Sequence, residues 1–293
     1  MPRTNLPLKP ILILIGLALI WGTNWAVVKI GGREMAPLFM AGLRSLIAAA
    51  LLFLWIKAKG LKTFTSRAVF LHGLIVGLIF GVEFGLIYFG LKLTLASRVY
   101  VLLYTAPFWA ALGAHFFLEG DRLSGWKTGG LVLAFTGVAS LFFRDFGALT
   151  WDTLPGDLMI VAGGAAWAAT TLYIKKYLAH RTAPLQSLFY SVFFSAPLLL
   201  GLSLALERPM FHDLSLTGAS SMFYQGVIVA FASYLVWMEL VHRFPASLLH
   251  AFSFFTPLFG VFLSGWVILG EPMGLNLITG LVLVSAGLVL VNR

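Results

Sequence analysis

Glu83 and Arg44 are charged residues set deep inside long apolar runs. A charge near the middle of a bilayer costs about 2.5 to 3.5 kcal/mol on insertion scales, so such a side chain turns toward a partner, a cavity or a substrate. Three readings follow for this pair. The two residues neutralise each other; or Glu83 reads a substrate cation or carries a proton; or a zwitterion uses both, its ammonium on Glu83 and its carboxylate on Arg44. Rings stand at comparable depths: Trp21, Trp25, Tyr88, Tyr104, Trp167, Tyr234, Trp237 and Phe254. Aromatic faces around one acid suit an ammonium or an aromatic ligand, by cation-π attraction or stacking. Asn24 and Thr23 add hydrogen-bonding groups near the middle of their run, either for a substrate or as glue between helices.

The elements that position these residues are transmembrane helices. The 293 residues are 60% hydrophobic and only 11% charged, with a mean hydropathy of +0.94, too apolar for a soluble surface. The net charge of +9 comes from Lys and Arg at the ends of apolar runs. There they meet headgroups and interfacial water, so nucleic acid is not an expected partner and the lipid bilayer is. The absence of cysteine removes disulfides and thiolate metal sites. A span needs about 20 apolar residues, and ten runs qualify: 11–30, 36–56, 68–91, 98–118, 128–143, 156–177, 184–206, 218–240, 247–269 and 274–291. With the N-terminus inside, thirteen Lys and Arg fall on the cytoplasmic side against six outside, which predicts both termini in the cytoplasm. Trp55, Trp126 and Trp151 fall at predicted interfaces, where amphipathic rings belong.

The chain also repeats itself. Residues 96–143 lie over 246–293 without a gap, with nine identities in 48 positions, among them Ala96-Ser97 with Ala246-Ser247, Pro107 with Pro257, Gly120 with Gly270, and Gly130 and Gly137 with Gly280 and Gly287. Trp21 and Lys29 likewise match Trp167 and Lys175, which sets Asn24 on Thr170. Ten spans divide into two fives, so the second copy is inverted, as in many secondary transporters. Residues 1–147 form the first unit and 148–293 the second. Pro107 and Pro257 free the carbonyls of Leu103 and Ser253, which makes each proline either a packing kink or a hinge beside the substrate. Gly73, Gly77, Gly81 and Gly85 form a stripe for close helix packing. Glu83 stands about 200 degrees from that stripe, so it faces away from the packed seam. His115 and His250 are expected near the cytoplasmic ends of their helices, within reach of water, with a gate or relay role open to them. Glu119, Asp121, Glu239 and Glu271 read as solvated ends or helix caps.

These residues resemble the drug/metabolite transporter superfamily, in its ten-helix branch with two EamA-type repeats. The resemblance rests on Leu19-Ile20-Trp21-Gly22-Thr23-Asn24-Trp25, on Leu43-Arg44, on Ala96-Ser97 through Pro107 to Gly120-Asp121-Arg122-Leu123, and on the second copies at Ala246-Ser247, Pro257 and Gly270-Glu271-Pro272. It implies an all-α integral membrane fold, ten helices around a central cavity, moving amino acids or other small metabolites and often exporting them. Arg44 matches an arginine common in the family's second helix, which favours a structural role for it. Asp121 stands where the family usually has glutamate.

No Gly-x-x-x-x-Gly-Lys-Ser/Thr loop, His-Glu-x-x-His, Gly-x-Ser-x-Gly or CxxC occurs in the chain, so neither a common membrane enzyme nor an ATP-driven pump is expected, and no catalytic residue, cofactor or metal is assigned. The expected function is secondary active transport of a small organic metabolite, foremost an amino acid or related solute, across a bacterial inner membrane by alternating access. An organic cation or drug carried by Glu83 and an aromatic cage is the alternative; a channel or membrane enzyme lies further off. Proton coupling, and a monomer or homodimer, stay open.

Overall fold

The computed structural model describes residues 6–94, 96–141, 151–212, 215–263 and 275–292, apart from the side chains at positions 96, 97, 275 and 276. Among the described residues thirteen α-helices follow one another: α1 Leu8–Gly31, α2 Pro37–Ala58, α3 Arg67–Gly90, α4 Ala96–Leu102, α5 Ala106–Phe117, α6 Gly125–Leu141, α7 Leu154–Tyr173, α8 Pro184–Leu206, α9 Leu216–Phe223, α10 Tyr234–Arg243, α11 Ala246–Phe252, α12 Phe255–Val261 and α13 Leu275–Val291. A 3₁₀ turn, Leu103–Thr105, joins α4 to α5, while π-helical stretches extend α7 over Ile174–Leu178 and join α9 to α10 over Tyr224–Ser233. No strand occurs among the described residues; Met35 and Phe211 form one isolated bridge.

Seven apolar stretches reach membrane-spanning length among the described residues: Leu8–Gly31, Pro37–Ala58, Arg67–Gly90, Arg98–Phe117, Leu154–Leu178, Pro184–Leu206 and Leu216–Arg243. They correspond to seven of the ten expected spans. The other three, expected at 128–143, 247–269 and 274–291, appear as shorter helices: α6, the broken pair α11 and α12, and α13. Gly270, Glu271 and Pro272 lie outside the described residues, as does the expected boundary between 147 and 148. Large apolar side chains such as Leu12, Leu54, Phe116 and Leu204 stay exposed, as they must on a surface whose solvent is lipid. Trp55, Trp126 and Trp151 are exposed as well.

Glycine decides how closely the helices approach. The stripe on α3 packs on α8: a Cβ added at Gly77 would lie 2.8 Å from the Tyr190 carbonyl oxygen, and one at Gly73 2.9 Å from the Tyr190 ring. Contacts that short are closer than a real Cβ tolerates, so only glycine fits. The α6–α13 seam is tighter and reciprocal. A Cβ at Gly130 would stand 2.5 Å from the Gly287 carbonyl oxygen and one at Gly287 2.5 Å from the Gly130 oxygen; Gly137 and Gly280 face each other's carbonyl oxygens in the same way at 2.9 and 3.0 Å. The two helices therefore cross antiparallel, backbone on backbone. The remaining principal pairings are α2 with α8, α3 with α7, α1 with α12 and α5 with α7.

Helix ends are held by distant acids. Glu207, 3% exposed, accepts from the amides of Leu38 and Phe39 at 3.1 Å each, opening α2, and pairs with Lys92 at 3.0 Å. Asp121 accepts from the Ser247 amide at 3.0 Å and the Ser247 hydroxyl at the start of α11, with Lys127 at 2.9 Å. Asp121 is thus a buried cap rather than a solvated end. Glu34 accepts from the Ser215 hydroxyl at 2.6 Å and amide at 3.0 Å, next to α9. The hydroxyl bond and then the amide bond hold its carboxyl below the ordinary range. Each contact satisfies amides that a helix start leaves without intrahelical partners. Glu239 makes an ion pair with Arg243 one turn away, at 2.8 Å; His115 accepts from the Leu123 amide at 3.2 Å.

Candidate substrate cavity

A narrow cavity of about 80 Å³ lies among α1, α2, α3, α7, α10 and the α4–α5 junction, smaller than most small-molecule sites. Its wall is largely aromatic. Nine of the ten substrate-binding residues expected from sequence line it: Trp21, Asn24, Trp25, Glu83, Tyr88, Tyr104, Trp167, Tyr234 and Trp237; Arg44 lines it too. Phe254 is the exception. It is wholly buried and packs edge-on against Phe108 and Phe135, at centroid separations of 6.4 Å each, because the break between α11 and α12 turns its ring away from the cavity.

Glu83 arrives from the face of α3 opposite the glycine stripe. It is 3% exposed and accepts a hydrogen bond from Thr170 on α7 at 3.0 Å. Arg44 is 1% exposed and donates to the hydroxyls of Tyr88 and Tyr234, both at 3.1 Å. Its guanidinium carbon stands 4.0 Å from the Phe84 ring centroid, with the rings of Tyr88 and Tyr234 at 5.4 and 5.6 Å. Tyr88 passes the contact on to Gln225 at 3.1 Å, which donates to Ser221 at 3.0 Å. None of the four ion pairs among the described residues joins Arg44 to Glu83. The charge pair expected as one reading is not formed; phenol oxygens and aromatic faces hold the cation instead. The Arg44 Nε and the Asn24 Oδ1 are buried polar atoms without a hydrogen-bond partner among the described residues.

The repeat-mate tryptophans meet inside. Trp21 and Trp167 lie edge to face at 5.9 Å, and each also touches Trp237, at 5.3 and 6.1 Å. Trp21 Nε1 donates to Ser233 at 3.0 Å, the position that the repeat lays on Glu83. Below this cluster, His250 is wholly buried, 4.7 Å from Trp167 and 5.5 Å from Trp237, and bonded to Thr171 at 2.9 Å. This corrects the expectation that water reaches it: α11 is too short and too closely covered to bring position 250 to a surface. Trp25 turns toward Tyr100, at 6.4 Å.

Pro107 and Pro257 do not line the cavity. The carbonyls they free are taken up within the chain, Leu103 by the Ala106 amide and Ser253 by the Thr256 amide at 2.9 Å, in 3₁₀ fashion. Glycines of other helices press on both breaks: a Cβ at Gly164 would lie 2.7 Å from the Leu103 oxygen, and one at Gly22 2.8 Å from the Thr256 oxygen. The Leu103 carbonyl is therefore covered by α7, while α1 closes on the second break at Thr256. Thr170, Thr171, Phe80 and Phe84 also line the cavity and were not singled out from sequence as site residues. Thr170 was within reach, since the repeat sets it on Asn24.

Residues 8–143 and 154–293 each match the EamA-like transporter family. Among relatives, a probable amino-acid metabolite efflux pump of Escherichia coli is 30% identical over 287 residues, covering 93% of this chain and 91% of that protein. The like-named protein of Salmonella typhimurium is 30% identical over 284 residues, and an uncharacterized transporter of Bacillus subtilis is 25% identical over 281, covering 96% and 95%. One solved structure shares the fold with a TM-score of 0.79 at 21% identity, over 95% of this chain and 94% of the other.

Proposed function

Because the chain belongs to the EamA-like transporter family, and so to a group of multi-pass membrane transporters, we propose that it is a secondary active exporter of a zwitterionic metabolite of the amino-acid class, working by alternating access. One observation carries the reading: Arg44 and Glu83 line one aromatic cavity without pairing with each other. A buried cation without an acid partner is expensive, and a substrate carboxylate lowers that expense when it binds. Glu83, with one oxygen on Thr170, takes the substrate ammonium, or a proton when the site is empty. The tryptophans bury the rest of the solute.

The framework for this is ten helices in two inverted units, 1–147 and 148–293, in a bacterial inner membrane with both termini in the cytoplasm. The reciprocal Gly130–Gly287 and Gly137–Gly280 contacts support it, because each contact maps onto the other when the repeat mates are exchanged. The pairing of α1 with α12 and of α7 with α5 supports it in the same way. Pro107 and Pro257 serve as the hinges.

Radiolabel exchange in liposomes loaded with neutral amino acids, choline-like cations or sugars, with and without a pH gradient, tests the reading. Amino-acid exchange that Glu83→Gln and Arg44→Met each abolish is the expected result. Exchange of choline-like cations alone, surviving Arg44→Met, overturns it in favour of an aromatic-cage cation carrier.

A further inference from the structure

Lys175 and Lys29 each stand eight residues beyond a repeat-mate tryptophan, Trp167 and Trp21, yet their surroundings differ. The Lys175 ammonium donates to the carbonyls of Val241 at 2.8 Å and Phe244 at 2.7 Å. These lie at the end of α10, where helix geometry leaves carbonyls without intrahelical partners and the dipole favours a cation. The π-helical stretch that carries Lys175 packs on α10 there, and α11 closes the same end through His250 and Thr171. Lys29 is exposed in the last turn of α1, and α3 is not among the principal packing partners of α1. The frame that pairs Pro107 with Pro257 lays Val241–Phe244 on Leu91–Thr94, the chain leaving the end of α3.

We propose that Lys175 and Lys29 are alternating latches: Lys175 ties α7 to the carbonyl end of α10 in the state seen here, and when the cavity changes sides it lets go while Lys29 docks on the carbonyl end of α3 at Leu91–Thr94. The inference rests on the alternating-access reading above. It makes both lysines positioning residues, since neither lines the cavity. The lysine suits the task because three donors on a flexible stem can leave and rejoin backbone oxygens without a fixed fork geometry. A latch of this kind sets which state is populated, and a substrate need only bias a balance already poised between the two.

The chain has no cysteine, so single cysteines report access without background. Ile174→Cys reports the Lys175 end of the cavity and Ile87→Cys the other, read as maleimide labelling rates of the full chain in detergent. Lys175→Met is expected to raise the Ile174→Cys rate about tenfold, the size of losing charge-assisted hydrogen bonds, and to lower the Ile87→Cys rate. Lys29→Met is expected to move both rates the opposite way, and Lys175→Arg to leave them near the parent values. Rates that rise together at both positions would mean plain loosening and would overturn the latch; so would no change, or Lys29→Met shifting them in the same sense as Lys175→Met. Where Lys175→Met does not elute as a single folded species, Lys175→Gln gives the same comparison. Labelling needs no transported solute, so reciprocal rates in a protein that exchanges no amino acid would sink the proposed function and leave the latch standing.

Discussion

The α6–α13 seam and the cavity wall treat the repeat in opposite ways. At the seam, repeat mates do the same thing: Gly130 and Gly280 each bring a helix against a glycine of the other helix, Gly287 and Gly137, at Cβ separations of 2.5 and 3.0 Å from the carbonyl oxygens. In the cavity, mates diverge. Glu83 falls on Ser233, and Arg44, counted from the prolines that open α2 and α8, falls level with Ser191. Both charges thus belong to the first unit. Ser233 keeps the geometry of its mate without the charge, accepting from Trp21 of α1 at 3.0 Å as Glu83 accepts from Thr170 of α7 at 3.0 Å. The lesson is a division of labour: symmetry is kept where backbones meet, and abandoned where the cavity wall carries its charges.

The largest effect is expected at the seam. Gly130→Val and Gly280→Val each force β-branched bulk toward a carbonyl where even a Cβ would stand at 2.5 and 3.0 Å, an overpacking cost of about 3 kcal/mol or more. Both variants should lose the single folded species on gel filtration. The milder Gly130→Ala and Gly287→Ala should lower the melting temperature by similar amounts; an unaffected Gly287→Ala beside a crippled Gly130→Ala would break the symmetry of the seam. Next comes the cavity, where mates should differ. Glu83→Gln should reduce amino-acid exchange by about 100-fold or more with the melting temperature nearly unchanged, and Ser233→Ala by less than about threefold. Equal losses at both positions would remove the asymmetry on which the charged half rests. Arg44→Lys should fall between them: the ammonium keeps the charge but cannot span both phenol oxygens, so exchange should drop by about tenfold.

The glycine stripe of α3 and the placement of Glu83 were legible in the sequence because glycine spacing reports rotation. Four glycines at four-residue intervals fix which side of α3 is packed, and an acid two residues away must then face elsewhere. Trp21 and Trp167 were legible as repeat mates. Arg44 was legible as a buried charge but not in its partners: Tyr88 and Tyr234 sit on α3 and α10, and their approach depends on the rotation of three helices about their own axes. The π-helical stretch Tyr224–Ser233 adds an offset that a regular 3.6-residue period does not carry. Phe254 was misplaced for a related reason. A straight helix would send it toward the other rings, whereas the break at Ser253 and Phe254 sends it to Phe108 and Phe135. His250 was misjudged because burial there comes from Trp167 and Trp237 on other helices.

The smallest expected effect sharpens the comparison most finely, because it sets two identical residues against each other. Trp21 and Trp167 contact the same ring, Trp237, but Trp21 also donates its indole N–H to Ser233, whereas Trp167 packs at a tilt against His250. Phenylalanine keeps an aromatic face and removes the donor. Trp21→Phe therefore loses a hydrogen bond worth about 1 kcal/mol and leaves the Ser233 hydroxyl with its own bond to the Val229 carbonyl at 2.7 Å. Trp167→Phe loses ring area only. If the wall is asymmetric by chemistry, Trp21→Phe should raise the half-saturating solute concentration about fivefold and Trp167→Phe about twofold, and adding Ser233→Ala to Trp21→Phe should cost little more, since the pair is already broken. A full extra penalty in that double variant would show that Ser233 contributes through a contact other than Trp21, and the parallel drawn between Ser233 and Glu83 would fail.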